Sequence, residues 1–258
     1  MRSCPQKFLY QYVENAPRDF VPSALLFGSA FHAAAEFMFR CQMEGVEASV
    51  GDLVAAYSAS YAEQVSSSDL PVKFNKNEDG ASLLVLAHRM LEALLASPAA
   101  HPAGQILGVE EELRVVLDPA LPEVLTRIDL VWQDKKALHV VDLKTAWGKW
   151  NEQKASESAD QLLLYRQSVS AMARDLQVPV ELGFLVVTKQ VRPQVQYLPV
   201  QAGTEALATL TSTLRQVWQA IQDRHFYPNP SPLNCTICPY KSHCPAFGGA
   251  ASCTRTDG

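Results

Sequence analysis

Residues 125–147 read LTRIDLVWQDKKALHVVDLKTAW, and this stretch constrains the fold more than any other. Two short apolar, β-branched runs flank a polar turn, the pattern of adjacent strands joined tightly. Each run carries an aspartate among apolar neighbours: Asp129 between Ile128 and Leu130, and Asp142 near the end of VVDLK. A buried carboxylate is costly unless it meets a cation or another partner. Two of them on neighbouring strands can approach each other and bind a hard divalent cation. Lys144 follows Asp142 by two residues, so strand periodicity puts both side chains on one face. An ammonium beside metal-held oxygen can orient an attacking water or offset charge on a phosphate. Taken alone, such a D-x-K is more often a plain ion pair at a sheet edge.

The texture on either side frames these strands. The segment 4–15 mixes aromatic and basic residues and reads as helical up to Pro17 and Pro22. Helical periodicity predicts further helices over 23–40, 52–66 and 81–96. Phe31, Phe37, Met38 and Phe39 supply apolar contacts in the first, and Leu84, Leu91, Leu94 and Leu95 fall near one face of the third. The stretch SSSDLPVKFNKNEDG between the last two reads as a polar loop. Strands are expected over 106–117, 125–132, 138–143, 182–188 and 194–200. One helix of about 20 residues, with Leu162, Tyr165, Val169, Met172 and Leu176 as its spine, links the third strand to the fourth. A last helix over 204–224 carries Leu207, Leu210, Leu214, Val217 and Ile221 on one stripe. The implied division is a helical region over 1–105, an α/β core over 106–226 and a cysteine-rich tail over 227–258.

Weaker signals surround the acidic strands. Glu110, Glu111 and Glu112 open the first strand and offer a third carboxylate. Gln161 and Tyr165 stand i,i+4 on one helix and share a face. His32 lies on a largely apolar helix in GSAFHAAAEF. Singly, these read as a solvated strand start, helix filler and a satisfied core histidine. Their common order and spacing gives them weight.

Three of the six cysteines, Cys235, Cys238 and Cys244, form C-x2-C-x5-C near the end of the chain, with Cys4 near its beginning. No apolar secretory segment opens the sequence, which makes a metal site more plausible than a disulfide scaffold. Cys41 and Cys253 read as ordinary thiols. The net charge of -5 excludes a uniformly basic nucleic-acid coat. Charge is uneven, however. Residues 1–126 hold 8 Lys/Arg against 16 Asp/Glu, whereas residues 127–192 hold 10 against 8. A polyanion would bind that middle segment, which also reads as an ordinary mixed-charge surface. No apolar run reaches the roughly 18 residues of a membrane span, so no membrane partner is expected, and the chain reads as intracellular.

Together these motifs resemble the PD-(D/E)XK nuclease superfamily, in particular its RecB-like and AddB-like exonuclease branch with an iron–sulfur cluster. That branch has a helix His, a strand-opening Glu, an Asp in G-x-I-D, a D-x-K-T strand and a Q-x-x-x-Y helix. The matching residues here are His32, Glu110, Asp129, Asp142 to Thr145, and Gln161 with Tyr165. Cys4, Cys235, Cys238 and Cys244 match its split cysteine set. Thr126 stands where the usual glycine would. Relatives also carry a Ser-x-Ser helix ahead of the first cysteine, which only three residues precede here.

The resemblance implies a restriction-endonuclease-like α/β fold, a central mixed sheet flanked by helices, with an N-terminal helical region and a C-terminal iron–sulfur clasp. It implies a Mg²⁺- or Mn²⁺-dependent hydrolase of DNA phosphodiester bonds, acting as an exonuclease in repair, recombination or phage DNA processing in the cytoplasm of a bacterial host. His32, Asp129, Asp142 and the Leu143 carbonyl would hold the metal. Glu110 would place the metal or the water, and Lys144 would orient the nucleophile. Gln161 and Tyr165 would orient the site and touch DNA. The four cysteines would hold a [4Fe–4S] cluster, with zinc as the structural rival. Trp147 and Trp150, interleaved with Lys149 and Lys154, suit single-stranded DNA by base stacking and phosphate tracking; packing under a loop is the other reading of either ring. A helicase or recombination protein is an expected partner. The alternative function is a non-cutting subunit of the same fold that binds DNA or a partner.

Overall fold

The computed structural model describes residues 3–201 and 203–248. α1 (Pro5–Phe8) runs into a π-helical turn at Leu9–Val13. β1 (Val21–Pro22) leads into α2 (Ser23–Met43), followed by α3 (Val50–Ser66), β2 (Val72–Lys73) and α4 (Gly80–Leu95). Reciprocal capping fixes two of these starts. Ser49 and Asp52 each accept from the other's backbone N–H ahead of α3, and Asp79 and Ser82 do the same ahead of α4. β2 lies inside the expected polar loop and pairs in parallel with β1, a long-range contact that no local pattern announces.

The main sheet follows: β3 (Gln105–Val115), β4 (Val124–Gln133) and β5 (Leu138–Ala146), then β6 (Val180–Thr188) and β7 (Val195–Val200). Its order is β3-β4-β5-β6-β7, with β5 and β6 parallel and every other pair antiparallel. β5 and β6 are buried along most of their length, as central strands covered on both faces should be. The parallel crossover needs a helical connection. It is built from α5 (Glu152–Glu157), α6 (Asp160–Ser168) and α7 (Ser170–Leu176). The chain closes with α8 (Thr204–Gln222) and α9 (Pro232–Thr236).

The single connecting helix expected from the spine is therefore three short ones. Ser168 lies at the second break, where its hydroxyl donates to the Leu164 carbonyl at 3.1 Å and meets the Thr126 hydroxyl at 2.8 Å. Such back-bonding bends helices. Leu162, Tyr165 and Val169 are buried, but Met172 and Leu176 beyond the break are exposed. Phe37 and Leu84 also face solvent, and α4 instead buries Leu83, Ala87, Met90, Leu91 and Leu94.

Each sheet face has its own core. On one, Phe27, Phe31 and Met38 of α2 pack with α3 and α4 against Val141, Leu143, Leu185 and Val187. On the other, Leu162, Tyr165 and Val169 pack against Val140, Phe184 and Val186. The helices of the 1–105 region thus share a core with the sheet. α2 and α6 lie on opposite faces of the sheet, and each brings polar side chains to β4 and β5.

Candidate active site

Glu110 and Asp129 occupy facing places in the β3–β4 ladder, between the pairs Val109↔Leu130 and Glu111↔Ile128. Glu110 has φ +54, a left-handed backbone that a side chain adopts only at a cost of about 1–2 kcal/mol. This interrupts the pleat of β3 at one residue. Arg40, about two turns beyond His32 on α2, donates to the Val109 carbonyl at 3.1 Å and pins the strand there.

His32 projects from α2 onto this pair. Its Nδ1 lies 3.5 Å from Asp129 Oδ1 and 3.7 Å from Glu110 Oε1. One ligand atom from each of the three residues lies within 4.8 Å of the others. Two carboxylates brought so close repel each other unless a positive charge sits among them. His32 shows the pull of that field. Burial opposes its protonation, yet contacts with Asp129 and Glu110 push its pKa up to about 10. A nitrogen and two carboxylate groups form a donor set suited to a divalent ion of the Mg²⁺ or Mn²⁺ kind.

Asp142 stands beside this trio and is not one of its members. Among the described residues, no set of three mutually close ligand atoms includes it. It is almost fully buried, with Lys144 Nζ 2.5 Å from its Oδ2 and the Tyr165 hydroxyl donating to Oδ1 at 3.4 Å. Burial, then the Asp129 charge, raises its pKa to about 6 against the pull of Lys144. Asp129 Oδ2 accepts the Leu143 N–H at 2.6 Å, which ties the two acidic strands together. At Leu143 it is thus the N–H, and not the expected carbonyl, that meets this carboxylate. Lys144 Nζ also donates to Gln161 Oε1 at 3.1 Å, and the Gln161 amide reaches the Tyr165 hydroxyl. Burial and the nearby carboxylates push the Tyr165 phenol up. Tyr165 is only 2% exposed, and its hydroxyl points at Asp142.

Glu111 and Glu112 are exposed, and Glu112 pairs with Arg127. Arg127 Nε also lies 3.9 Å from Glu110 Oε2. Arg127 stands opposite Glu112 in the β3–β4 register, a pairing that no local sequence pattern announces. The two tryptophans separate. Trp147 is 69% exposed. Trp150 packs edge-on against Phe184 at 5.2 Å, with its backbone held by Gln196, so it serves the core. Lys149 and Lys154 are exposed, and Lys154 Nζ lies 5.7 Å from the centre of the Trp150 ring.

Cys4, Cys235, Cys238 and Cys244 line one cavity of about 280 Å³, together with Lys7 and Tyr10. Burial raises the Cys238 thiol, helped by the Cys4 and Cys244 charges and opposed by the Tyr240 N–H and Lys7. Protein hydrogen bonds bring the two ends of the chain together around it. Tyr10 donates to the His243 carbonyl at 2.8 Å, and Asn229 and Asn234 both donate to the Ser3 carbonyl. Cys41 lies on α2 outside this cavity, and Cys253 is outside the described residues. Among the described residues, no helix is long and apolar enough to cross a membrane.

Comparison with known proteins adds the family. Two solved structures resemble the chain at low identity. A proposed exonuclease from Eubacterium rectale shares 13% identity, with 88% of this chain and 90% of that one covered and a TM-score of 0.46. SSO0001 shares 14% identity, with 93% of each chain covered and a TM-score of 0.36. No curated protein sequence matches the chain. The family rests instead on a sequence-family match over residues 1–245, nearly the full length: the chain belongs to the PD-(D/E)XK nuclease superfamily.

Proposed function

We propose that this protein is a divalent-metal-dependent deoxyribonuclease that hydrolyses phosphodiester bonds, prefers single-stranded DNA and acts as an exonuclease in DNA repair, recombination or phage DNA processing. The observation that carries this reading is the convergence of His32, Glu110 and Asp129 beside the linked group Asp142, Lys144, Gln161 and Tyr165. His32, Glu110 and Asp129 would hold the metal, with Asp142 beside these three residues. Mg²⁺ or Mn²⁺ bound there supplies a Lewis acid for the phosphate and lowers the pKa of water.

The chain's own groups do the rest. Lys144, held between Asp142 and Gln161, keeps its ammonium pointed at the site and stabilises negative charge developing on the phosphate. Tyr165 holds Asp142, and α6 thereby sets the position of the β5 carboxylate. Trp147, exposed just past Lys144, offers a ring on which a base can stack, and Lys149 and Lys154 offer positive charge to the backbone.

The four cysteines hold a [4Fe–4S] cluster in this reading. What supports it is the cavity that all four share, with Cys4 brought to the tail trio by the hydrogen bonds that join the chain ends.

The test is digestion of end-labelled single- and double-stranded DNA with Mg²⁺ or Mn²⁺ under anaerobic conditions. Wild type should cut, and Asp129→Ala and Lys144→Ala should bind DNA without cutting. A clean, metal-supplied wild type that binds DNA and never cuts would replace this reading with a binding role.

A further inference from the structure

Lys189 has no part in the chemistry above. It is the first residue beyond β6, and its N–H extends the ladder to the Ala146 carbonyl at 2.7 Å. Strand alternation sends its side chain to the α2 face, where Leu185 and Val187 also point. There its Nζ lies 4.4 Å from the centre of the Phe27 ring and 5.8 Å from that of Trp147. Burial lowers its pKa, and the charge of Glu78 only partly opposes this. Among the described residues, Glu78 acts on this ammonium through its charge, with no hydrogen bond between the two. Ring faces attract a cation but do not replace the water it has lost. A partly buried lysine with no carboxylate in direct contact is a place where an anion binds favourably.

Its position says which anion. Phe27 precedes His32 by five residues on α2, about 7.5 Å along the helix. Lys189 thus sits beside the same helix that carries His32. Trp147 follows Lys144 by three residues and is exposed. The geometry points to Lys189 and Trp147 as one nucleotide subsite, in which the ammonium takes a phosphate of a bound single strand and the indole stacks on its base. This rests on the nuclease reading for its substrate.

The test measures binding of a labelled oligodeoxythymidine by fluorescence anisotropy across a salt series in EDTA, beside cutting of the same strand in Mg²⁺. Lys189→Met should lower the slope of log affinity against log salt by about 0.7, the value for one single-strand phosphate, and Lys189→Arg should preserve it. Losses in Trp147→Ala and Lys189→Met should be less than additive when combined. A series of strands with a neutral methylphosphonate at one linkage at a time should show one sensitive linkage in wild type and none in Lys189→Met. Should Lys189→Met fail to fold, that series in wild type and Trp147→Ala decides instead: the sensitive linkage must be present in the first and weakened in the second. Cutting by wild type with an unchanged salt slope in Lys189→Met overturns the subsite and leaves the nuclease standing. The lowered slope in a protein that never cuts keeps the subsite and removes the nuclease. No binding of the strand at all overturns the subsite.

Discussion

Glu110 and Asp129 face each other across the β3–β4 ladder, and both reach the Nδ1 of His32. Like charges placed opposite one another in a sheet are destabilising, and Glu110 adds a left-handed backbone to that cost. A sheet selected for stability alone would carry neither feature. Both make sense if a cation occupies the position that the three side chains surround.

Metal should therefore stabilise the folded protein. At a concentration 100 times Kd, Mg²⁺ or Mn²⁺ should add about 2.7 kcal/mol, or roughly 5–10 °C in Tm for a chain of this size. Asp129→Asn and His32→Ala should each remove most of that increment. Thermal melts with and without metal check this, and an identical Tm in both conditions for wild type would remove the metal site.

The backbone at Glu110 can be tested apart from its charge. Glu110→Ala removes the carboxylate and keeps a Cβ at φ +54, whereas Glu110→Gly removes both. Glycine tolerates this conformation. Glu110→Gly should thus be more stable than Glu110→Ala by about 1 kcal/mol, while both lose metal-dependent stabilisation and cutting. Equal stability of the two variants in denaturant titrations would show that the left-handed conformation carries no strain.

Tyr165→Phe should separate orientation from binding. The hydroxyl lies 3.4 Å from Asp142 and next to the Gln161–Lys144 pair, on a residue that is only 2% exposed. Its loss removes one hydrogen bond to a charged group, about 1.5–3 kcal/mol. kcat should fall roughly 10- to 100-fold with the DNA Kd unchanged. A weakened Kd at constant kcat would instead make Tyr165 a substrate contact.

The sequence carried the strands and the aspartate pair well because both are local signals. β-branched runs bounded by turns mark β3 to β7, and the apolar neighbours of Asp129 and Asp142 mark them as unusual wherever the strands end up. The proposed metal trio depends on more than local pattern. His32, Glu110 and Asp129 come from three elements, and their meeting depends on the β3–β4 register and on how α2 lies on the sheet. The expected ligand set of His32, Asp129, Asp142 and the Leu143 carbonyl could not show how Lys144 and Tyr165 contact Asp142 beside the trio. Lys189 and β2 were invisible for the same reason, because their partners Phe27 and β1 lie far away in sequence. The break before α7 had a local cause in Ser168, but its partner Thr126 is on another strand.

The contact of Asp19 with Ser242 makes the joining of the chain ends sensitive to acid. The Asp19 carboxylate accepts the Ser242 N–H at 3.2 Å and also its hydroxyl. Slight burial works against the charged form, but these hydrogen bonds outweigh it and hold the pKa below the ordinary 3.8. A carboxylate with a lowered folded pKa contributes stability that is fully present above its unfolded pKa and lost as pH falls through the folded one. Asp19→Asn should therefore lower Tm at pH 6, and the gap from wild type should close below about pH 4. The same residue's backbone N–H donates to the Pro239 carbonyl at 2.7 Å and survives the substitution, so the tail should loosen without leaving. Melting curves of the two proteins between pH 3 and pH 7 decide it. A gap that stays constant across that range would mean that the Asp19 charge takes no part in holding the ends together.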